Sequence, residues 1–143
     1  MSKYQLYDAQ TVADFVISWC ADRNIIITNV KLNKLLYFCQ IEFAKAAHRR
    51  LISEDFFAYR LGPVIPSLRE RYLVYVANPL PQSQGAISVC DSDAETLDMI
   101  LSHYAPMKTW DLVEKACNTG PFKYNIEIFG VTSIIPYECM LVL

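Results

Sequence analysis

The sequence predicts a mainly helical domain of five or six helices with a short β-hairpin or small sheet near residues 56–61 and 124–135. Three observations support this fold class. Apolar residues recur at helical spacing in several segments, cap residues precede those segments, and two other segments concentrate aromatic or β-branched residues as strands do. With 143 residues, of which 53% are hydrophobic, the chain can bury a core as one domain over residues 1–143.

The composition excludes several classes of function. No uninterrupted apolar run approaches the roughly 20 residues that span a bilayer. Residues 1–8 lack the pattern of a secretory signal, so we expect a cytosolic protein with no membrane partner. The formal net charge of −2 gives no general attraction to phosphate backbones, so nucleic acid is not expected as the main partner. The basic residues 48–50 suit the end of a helix, and the alternative is contact with an acidic partner.

Two amphipathic helices are predicted in the first third of the chain. Asp8 can cap the first helix and Thr28 the second. The second helix is apolar almost all round, because Tyr37, Phe38 and Ile41 lie outside its main stripe. We interpret it as the central helix of the core, and the alternative is that its second face is offered to a partner. The main stripe consists of Leu32, Leu35, Leu36, Cys39 and Phe43.

A strand, a turn and a third helix are predicted next. Residues 56–61 crowd aromatic side chains into a short segment, as an extended strand does. Gly62 and Pro63 then predict a turn, and Pro66 suits the first position of a helix. Residues 78–85 are rich in proline and polar residues, so we expect a loop there.

Two further helices are predicted after that loop. Ser92 and Glu95 form a capping box that would begin the fourth helix. Thr109 can cap the fifth helix. Gly120 and Pro121 would then stop the fifth helix.

The last segment is predicted to be partly extended. Residues 124–135 hold several β-branched side chains and are interpreted as a strand, with a turn at Gly130. Pro136 can open a short final helix that runs to Leu143. No internal repeat or domain linker is recognisable in the sequence.

Catalytic patterns are missing from the sequence, which favours a binding module over an enzyme. No phosphate-binding loop, nucleophile elbow or metal-ligand spacing occurs, so no cofactor or metal is expected. The five cysteines are far apart and odd in number, and we interpret them as reduced and mostly buried. One alternative stays open: Cys39 or Cys117 could pair in space with His48 or His103 and form a small hydrolase.

Three separated motifs together resemble the Panacea antitoxin domain, the family of SocA-like and GepA-like phage-associated proteins. Residues 28–38 read T-N-V-K-L-N-K-L-L-Y-F, and residues 57–66 read F-A-Y-R-L-G-P-V-I-P. Residues 111–122 begin with D-L-V and end with G-P-F. Cys117 stands where the family usually has histidine, and Phe122 where it usually has tryptophan. The order and separation of the motifs carry the resemblance, which covers nearly the whole chain.

The resemblance implies an antitoxin that neutralises a toxin encoded beside it by direct protein–protein contact. It also implies two alternatives: a proteolytic adaptor that delivers a bound toxin to an ATP-dependent protease, and a phage- or mobile-element-encoded inhibitor of a host protein. Each of these roles is stoichiometric binding, in agreement with the missing catalytic patterns. The sequence fixes neither the identity of the toxin nor an oligomeric state.

The candidate partner-binding residues are Lys34, Tyr37, Ile41, Tyr59 and Arg60. Tyr37, Tyr59 and Arg60 are candidates because aromatic and arginine anchors dominate many interfaces. Tyr37 and Ile41 lie near Lys34 on the side of the second helix opposite its main stripe, which suits a face partly open to a partner. For Lys34 and Tyr37 the alternative is that the lysine only extends its charge to water and the tyrosine packs in the core. We expect Gly62 and Pro63 to set the turn rather than contact a toxin. The residues assigned to the structural part of the motifs are Leu32, Leu35, Leu36, Phe38, Gly62, Pro63, Val64 and Pro121.

Overall fold

The computed structural model describes residues 6–82 and 88–141, and it confirms a mainly helical fold with a small sheet. Within these ranges, no helix is long and apolar enough to cross a membrane. One helix more than expected is present, because part of the predicted last strand is helical. In chain order the elements are α1 (Ala9–Asp22), α2 (Asn29–Ala47), β1 (Phe56–Tyr59), β2 (Gly62–Val64), α3 (Pro66–Arg71), α4 (Asp91–Tyr104), α5 (Thr109–Cys117), α6 (Gly120–Phe129), β3 (Ser133–Ile135) and α7 (Tyr137–Met140).

Helix α2 lies at the centre of the fold, as its apolar surface predicts. It contacts α1, α3, α4, α5 and β2. Both predicted caps form: the Asp8 side chain accepts from the Thr11 N–H at 2.8 Å, and the Thr28 hydroxyl accepts from the Lys31 N–H at 3.3 Å. All five residues of the predicted stripe are fully buried, namely Leu32, Leu35, Leu36, Cys39 and Phe43.

The three strands form an antiparallel sheet in the order β2-β1-β3. The predicted turn at Gly62 and Pro63 is wrong by two residues, because Tyr59 pairs with Gly62 and both Gly62 and Pro63 belong to β2. Arg60 and Leu61 form the connection instead. Gly62 is still special: its φ of +112° lies in a region that side chains disfavour.

The prediction of a strand over 124–135 is correct only for its end, β3. Residues 120–129 form α6, because Pro121 occupies the first turn of a helix, where its fixed φ is favourable. The buried residues Phe122 and Asn125 then lie one turn apart and face the interior together. Gly130, with φ +83°, ends this helix.

Some helix ends differ from the sequence-based expectation. Helix α4 begins at Asp91, so Ser92 lies inside it and the predicted capping box does not form. Thr109 is the first residue of α5, and its cap position is Lys108. Helix α3 ends at Arg71, after which residues 73–75 form a short 3-10 turn.

Other expectations about the ends of elements are confirmed in part. Pro66 opens α3 as predicted, and Pro136 precedes α7 as predicted. That last helix ends at Met140, and residues 142–143 lie outside the described residues. Residues 83–85 of the predicted loop also lie outside them.

A buried ion pair fixes the beginning of α4. The Asp93 carboxylate, in a residue 4% exposed, accepts hydrogen bonds from Arg49 and, at 2.7 Å, from the Tyr7 hydroxyl. The same hydroxyl accepts from the Cys90 N–H at 3.2 Å. Burial by itself would raise the pKa of Asp93, but the hydrogen bonds from Arg49, Tyr7 and Cys90 hold that pKa below its usual value. These long-range contacts therefore determine where the helix starts.

Candidate functional site

Lys34 is buried beneath the hairpin that β1 and β2 form. It lies on α2, is 1% exposed, and its Nζ donates to the Pro63 carbonyl at 3.0 Å. Burial lowers the pKa of Lys34 to about 8, because the charged form loses contact with water. Gly62 makes room for this side chain: a Cβ at Gly62 would lie 2.7 Å from Lys34 Cε.

A groove of about 490 Å³, which we call the hairpin groove, opens where α2 begins, beside the hairpin and the 3-10 turn. Lys34, Arg60 and Arg69 supply three cationic side chains to its lining, and the lining described by the structure includes no acidic residue. Apolar side chains with substantial exposure complete the lining: Leu61, Leu73, Val76 and Val131 are 45%, 51%, 72% and 47% exposed.

Hydrogen bonds hold the polar part of the hairpin groove in place. The Asn29 amide donates to the Arg69 carbonyl at 3.0 Å, and the Asn33 amide donates to the Asn29 side-chain oxygen at 3.0 Å. The Asn33 oxygen accepts from the Ile65 N–H at 2.9 Å. Arg69 also lies over the Tyr59 ring, with its guanidinium carbon 5.1 Å from the ring centroid. The floor and one wall are therefore preorganised.

The structure brings three of the five candidate partner-binding residues to this groove, Lys34, Tyr59 and Arg60. The interpretation of α2 as partly open around Tyr37 and Ile41 is wrong, since these residues are 0% and 3% exposed. Their apolar surface is covered by α4, α5 and the sheet, which pack around α2.

Tyr37 has a structural role in the described fold. Its ring contacts Phe38 and Phe56 edge to face, and its hydroxyl hydrogen-bonds Thr119 Oγ1 at 2.7 Å. The residues assigned to the structural part of the motifs are likewise buried: Leu32, Leu35, Leu36, Phe38, Gly62, Pro63, Val64 and Pro121.

A second groove, of about 720 Å³, lies between α2, α4 and α5, and Ile41 contributes to its lining. Its charges are mixed, because three acidic residues lie there together with Lys45 and Lys115, namely Glu42, Asp111 and Glu114. The Glu42 carboxylate accepts from the Tyr104 hydroxyl and pairs with Lys45 at 3.7 Å. The mixed charges distinguish this groove from the hairpin groove.

The candidate cysteine–histidine pair does not assemble among the described residues, where no hydrogen bond joins a cysteine to a histidine. Burial raises the pKa of the Cys39 thiol and of the Cys117 thiol, which disfavours the reactive thiolate. His48 and His103 are exposed. The expectation of mostly buried cysteines holds for Cys20 and Cys39 only, since Cys90 is exposed and the other two are intermediate.

Sequence reasoning missed several residues of the hairpin groove. Asn29 and Asn33 carried a usable signal, because two amides one turn apart are unusual on a helix otherwise apolar on most sides. Arg69, Leu73 and Val131 carried none, since only the tertiary fold brings them to the hairpin.

The sequence model of the family described as "Antitoxin SocA-like, Panacea domain" matches residues 32–122, which is more than half of the chain. The chain belongs to this Panacea family. The matched range begins on α2, includes the whole hairpin and ends at Phe122. It therefore contains Lys34, Gly62 and Pro63, the contact that seats the hairpin on α2.

A curated relative, "Antitoxin SocA" of Caulobacter vibrioides (strain NA1000 / CB15N), is 39% identical over 62 residues. The similarity covers 43% of this Panacea-family chain and 33% of the relative, so the chain spans about a third of that protein's length. No solved structure matches the chain significantly.

Replacing Gly62 with alanine should lower the free energy of unfolding by about 1–3 kcal/mol, because a side chain is strained at its positive φ. The new Cβ would also displace the buried Lys34 side chain. Chemical denaturation would measure the change. Gly120→Ala is the matched control, since a Cβ there meets nothing within 4 Å. Equal stabilities of the two variants would contradict this account.

Proposed function

We propose that this Panacea-family protein is an antitoxin, which neutralises a toxin encoded beside its own gene by binding that toxin directly. The observation that carries the proposal is the hairpin groove, a preorganised surface with an apolar lining and three cationic side chains, Lys34, Arg60 and Arg69, which all lie within the family-matched residues 32–122. The name of the curated relative, an antitoxin, supports the same role.

The groove has the chemical character of a protein-binding surface. Arginine and tyrosine are enriched among the residues that dominate binding energy, and Arg60, Arg69 and Tyr59 lie together here. The exposed aliphatic side chains beside them would leave water on binding, which contributes roughly 25 cal/mol for each Å² of apolar surface. Binding through this groove needs no chemical step, so the proposed role is stoichiometric and not enzymatic.

Co-expression with each adjacent gene product tests this proposal. We expect one of those products to arrest growth when expressed alone, and we expect this protein to restore growth and to co-purify with that product. If no adjacent product is rescued and none co-purifies, the proposal is wrong. An inactive mutant of the toxin should still co-purify, because the proposed contact does not depend on the toxin's activity.

The half-life of the bound toxin distinguishes direct neutralisation from delivery to a protease. We expect that half-life to stay unchanged or lengthen when this protein is present. A shorter half-life that depends on an ATP-dependent protease would favour the adaptor role instead. Co-purification of a protein encoded elsewhere in the host genome would favour the role of host-protein inhibitor.

A further inference from the structure

We propose that the hairpin groove recognises a carboxylate flanked by apolar side chains on a segment of the partner protein, and that the carboxylate lies between Lys34 and the arginines Arg60 and Arg69. This inference rests on the proposed function and specifies the chemistry of the partner. The recognising groups are three cations at the polar part of the groove and four exposed aliphatic residues at its rim.

The negative charge that we propose for the bound group follows from an excess of basic residues in the groove. The chain has 13 basic and 15 acidic residues, yet the described lining of the hairpin groove holds three basic residues and no acidic one. Like charges gathered in a groove repel one another, so the free groove is electrostatically unfavourable and an anion entering it is attracted. The mixed charges of the second groove provide no such preference.

Lys34 can contribute further hydrogen bonds at the floor of the groove. An ammonium group has three N–H donors, and among the described residues the Pro63 carbonyl is the one acceptor that Lys34 contacts. Lys34 is only 1% exposed, so an approaching carboxylate would compensate a positive charge that has little contact with water. Arg60 and Arg69 add donors with the planar geometry that binds a carboxylate through two hydrogen bonds.

The rim argues for a protein segment rather than a nucleic acid. Leu61, Leu73, Val76 and Val131 are aliphatic, and the one tyrosine of the lining, Tyr59, lies beneath the Arg69 guanidinium. Single-stranded nucleic acids bind largely by stacking successive bases on several aromatic rings, whereas Tyr59 is the one aromatic residue among the described lining residues. A volume of about 490 Å³ has room for a few side chains of a partner segment.

The backbone at the rim gives a second indication of a binding role. Val76 has φ +55°, a conformation that is rare for a β-branched residue, and its side chain is 72% exposed. Such backbone conformations cluster at ligand-binding sites. Here the conformation leaves an apolar side chain in water beside the three cations.

The test measures binding of the adjacent gene product that co-purifies, by calorimetry with the full chain. Arg60→Glu should weaken binding at least 10-fold, because it places a negative charge beside the proposed carboxylate. Lys115→Glu, which makes the same reversal of charge at an exposed site in the second groove, should change affinity less than 3-fold. Leu73→Asp should also weaken binding at least 10-fold, whereas Val74→Asp, at the neighbouring exposed position outside the groove, should not.

The partner's side of the contact is tested by neutralising its acidic residues one at a time. One Asp→Asn or Glu→Gln change in the partner should weaken binding, and it should add little to the effect of Arg60→Glu. Circular dichroism and thermal unfolding would confirm that the exposed positions 60 and 73 tolerate these substitutions. If the effect of every acidic substitution in the partner simply adds to the effect of Arg60→Glu, the proposed carboxylate contact is wrong.

The outcomes separate this inference from the proposed function. Normal toxin binding by Arg60→Glu and Leu73→Asp would overturn the inference and leave the antitoxin role in place. An unmodified chain that binds no adjacent gene product would overturn both. Anisotropy with a labelled oligonucleotide provides a further arm: tight binding that Arg60→Glu abolishes would assign the groove to nucleic acid and would also overturn the inference.

Discussion

Replacing Asp93 with asparagine should lower the free energy of unfolding by about 3 kcal/mol, the largest effect that we expect from a single polar substitution. The substitution removes a carboxylate that is almost fully buried and that accepts from Arg49 and Tyr7. The Arg49 guanidinium, whose side chain is only 16% exposed, then loses the negative charge of Asp93 that it pairs with. Urea denaturation followed by circular dichroism would measure the loss.

Asp98→Asn is the matched control for this prediction. Asp98 pairs with Arg23 at 3.1 Å, but the two side chains are 51% and 44% exposed, so water screens the pair. Exposed pairs of this kind contribute about 0–1 kcal/mol. Similar losses at Asp93 and Asp98 would show that burial does not govern the strength of the Asp93 contact.

The pH dependence of stability gives an independent readout of the same carboxylate. The pKa of Asp93 is lower in the folded protein than in the unfolded chain, so its contribution is fully present above the unfolded pKa of about 4. That contribution is lost as the pH falls through the folded pKa. The Asp93→Asn variant should therefore lose less stability than the unmodified protein between about pH 5 and pH 2, which denaturation at several pH values would measure.

Replacing Phe56 with alanine should lower the free energy of unfolding by about 3–5 kcal/mol. Phe56 lies on the central strand β1, is 1% exposed, and packs edge to face on Tyr37 with ring centroids 5.5 Å apart. Its strand position also faces Ile135 of β3. The truncation would leave a cavity between the sheet and α2, and thermal or urea denaturation would measure its cost.

Phe129→Ala is the matched control, because the same side chain is removed from a position that is 64% exposed. Surface substitutions of this kind change stability by about 0.5 kcal/mol or less. If Phe129→Ala were as destabilising as Phe56→Ala, the loss at position 56 could not be attributed to burial of the Phe56 ring.

The local part of the fold could be predicted from the sequence, because its causes are local. Asp8 and Thr28 cap their helices through backbone N–H groups three residues away, and Pro66 opens a helix through its own fixed φ. The start of α4 could not be predicted. The Ser92 capping box is replaced by contacts of the α4 start with Tyr7 and Arg49, which are distant in sequence.

The helical conformation of α6 was missed for a related reason. Its isoleucines at 126 and 128 favour a strand by intrinsic preference, but burial of Phe122 and Asn125 on one side requires helical spacing. Tertiary packing therefore overrode the local preference of this segment.

The candidate site was predictable where the family motifs lie and not elsewhere. The motifs led to Lys34, Tyr59 and Arg60, which the fold brings to one groove. The apolar second face of α2 also led to Tyr37 and Ile41, which are buried, since an apolar helix face has the same pattern whether a partner or the protein's own elements cover it. Arg69 and Val131 have ordinary sequence surroundings, and only the three-dimensional arrangement relates them to the hairpin.

The walls of the hairpin groove come from segments that the ribosome produces at very different times. Asn29 belongs to the beginning of α2, whereas Val131 follows α6 near the far end of the described chain. At translation rates of about 5–20 residues per second, the interval between them is roughly 5 to 20 s. A nascent chain therefore lacks one wall of this groove until Val131 has been made, so the groove is completed only after α6 has been synthesised.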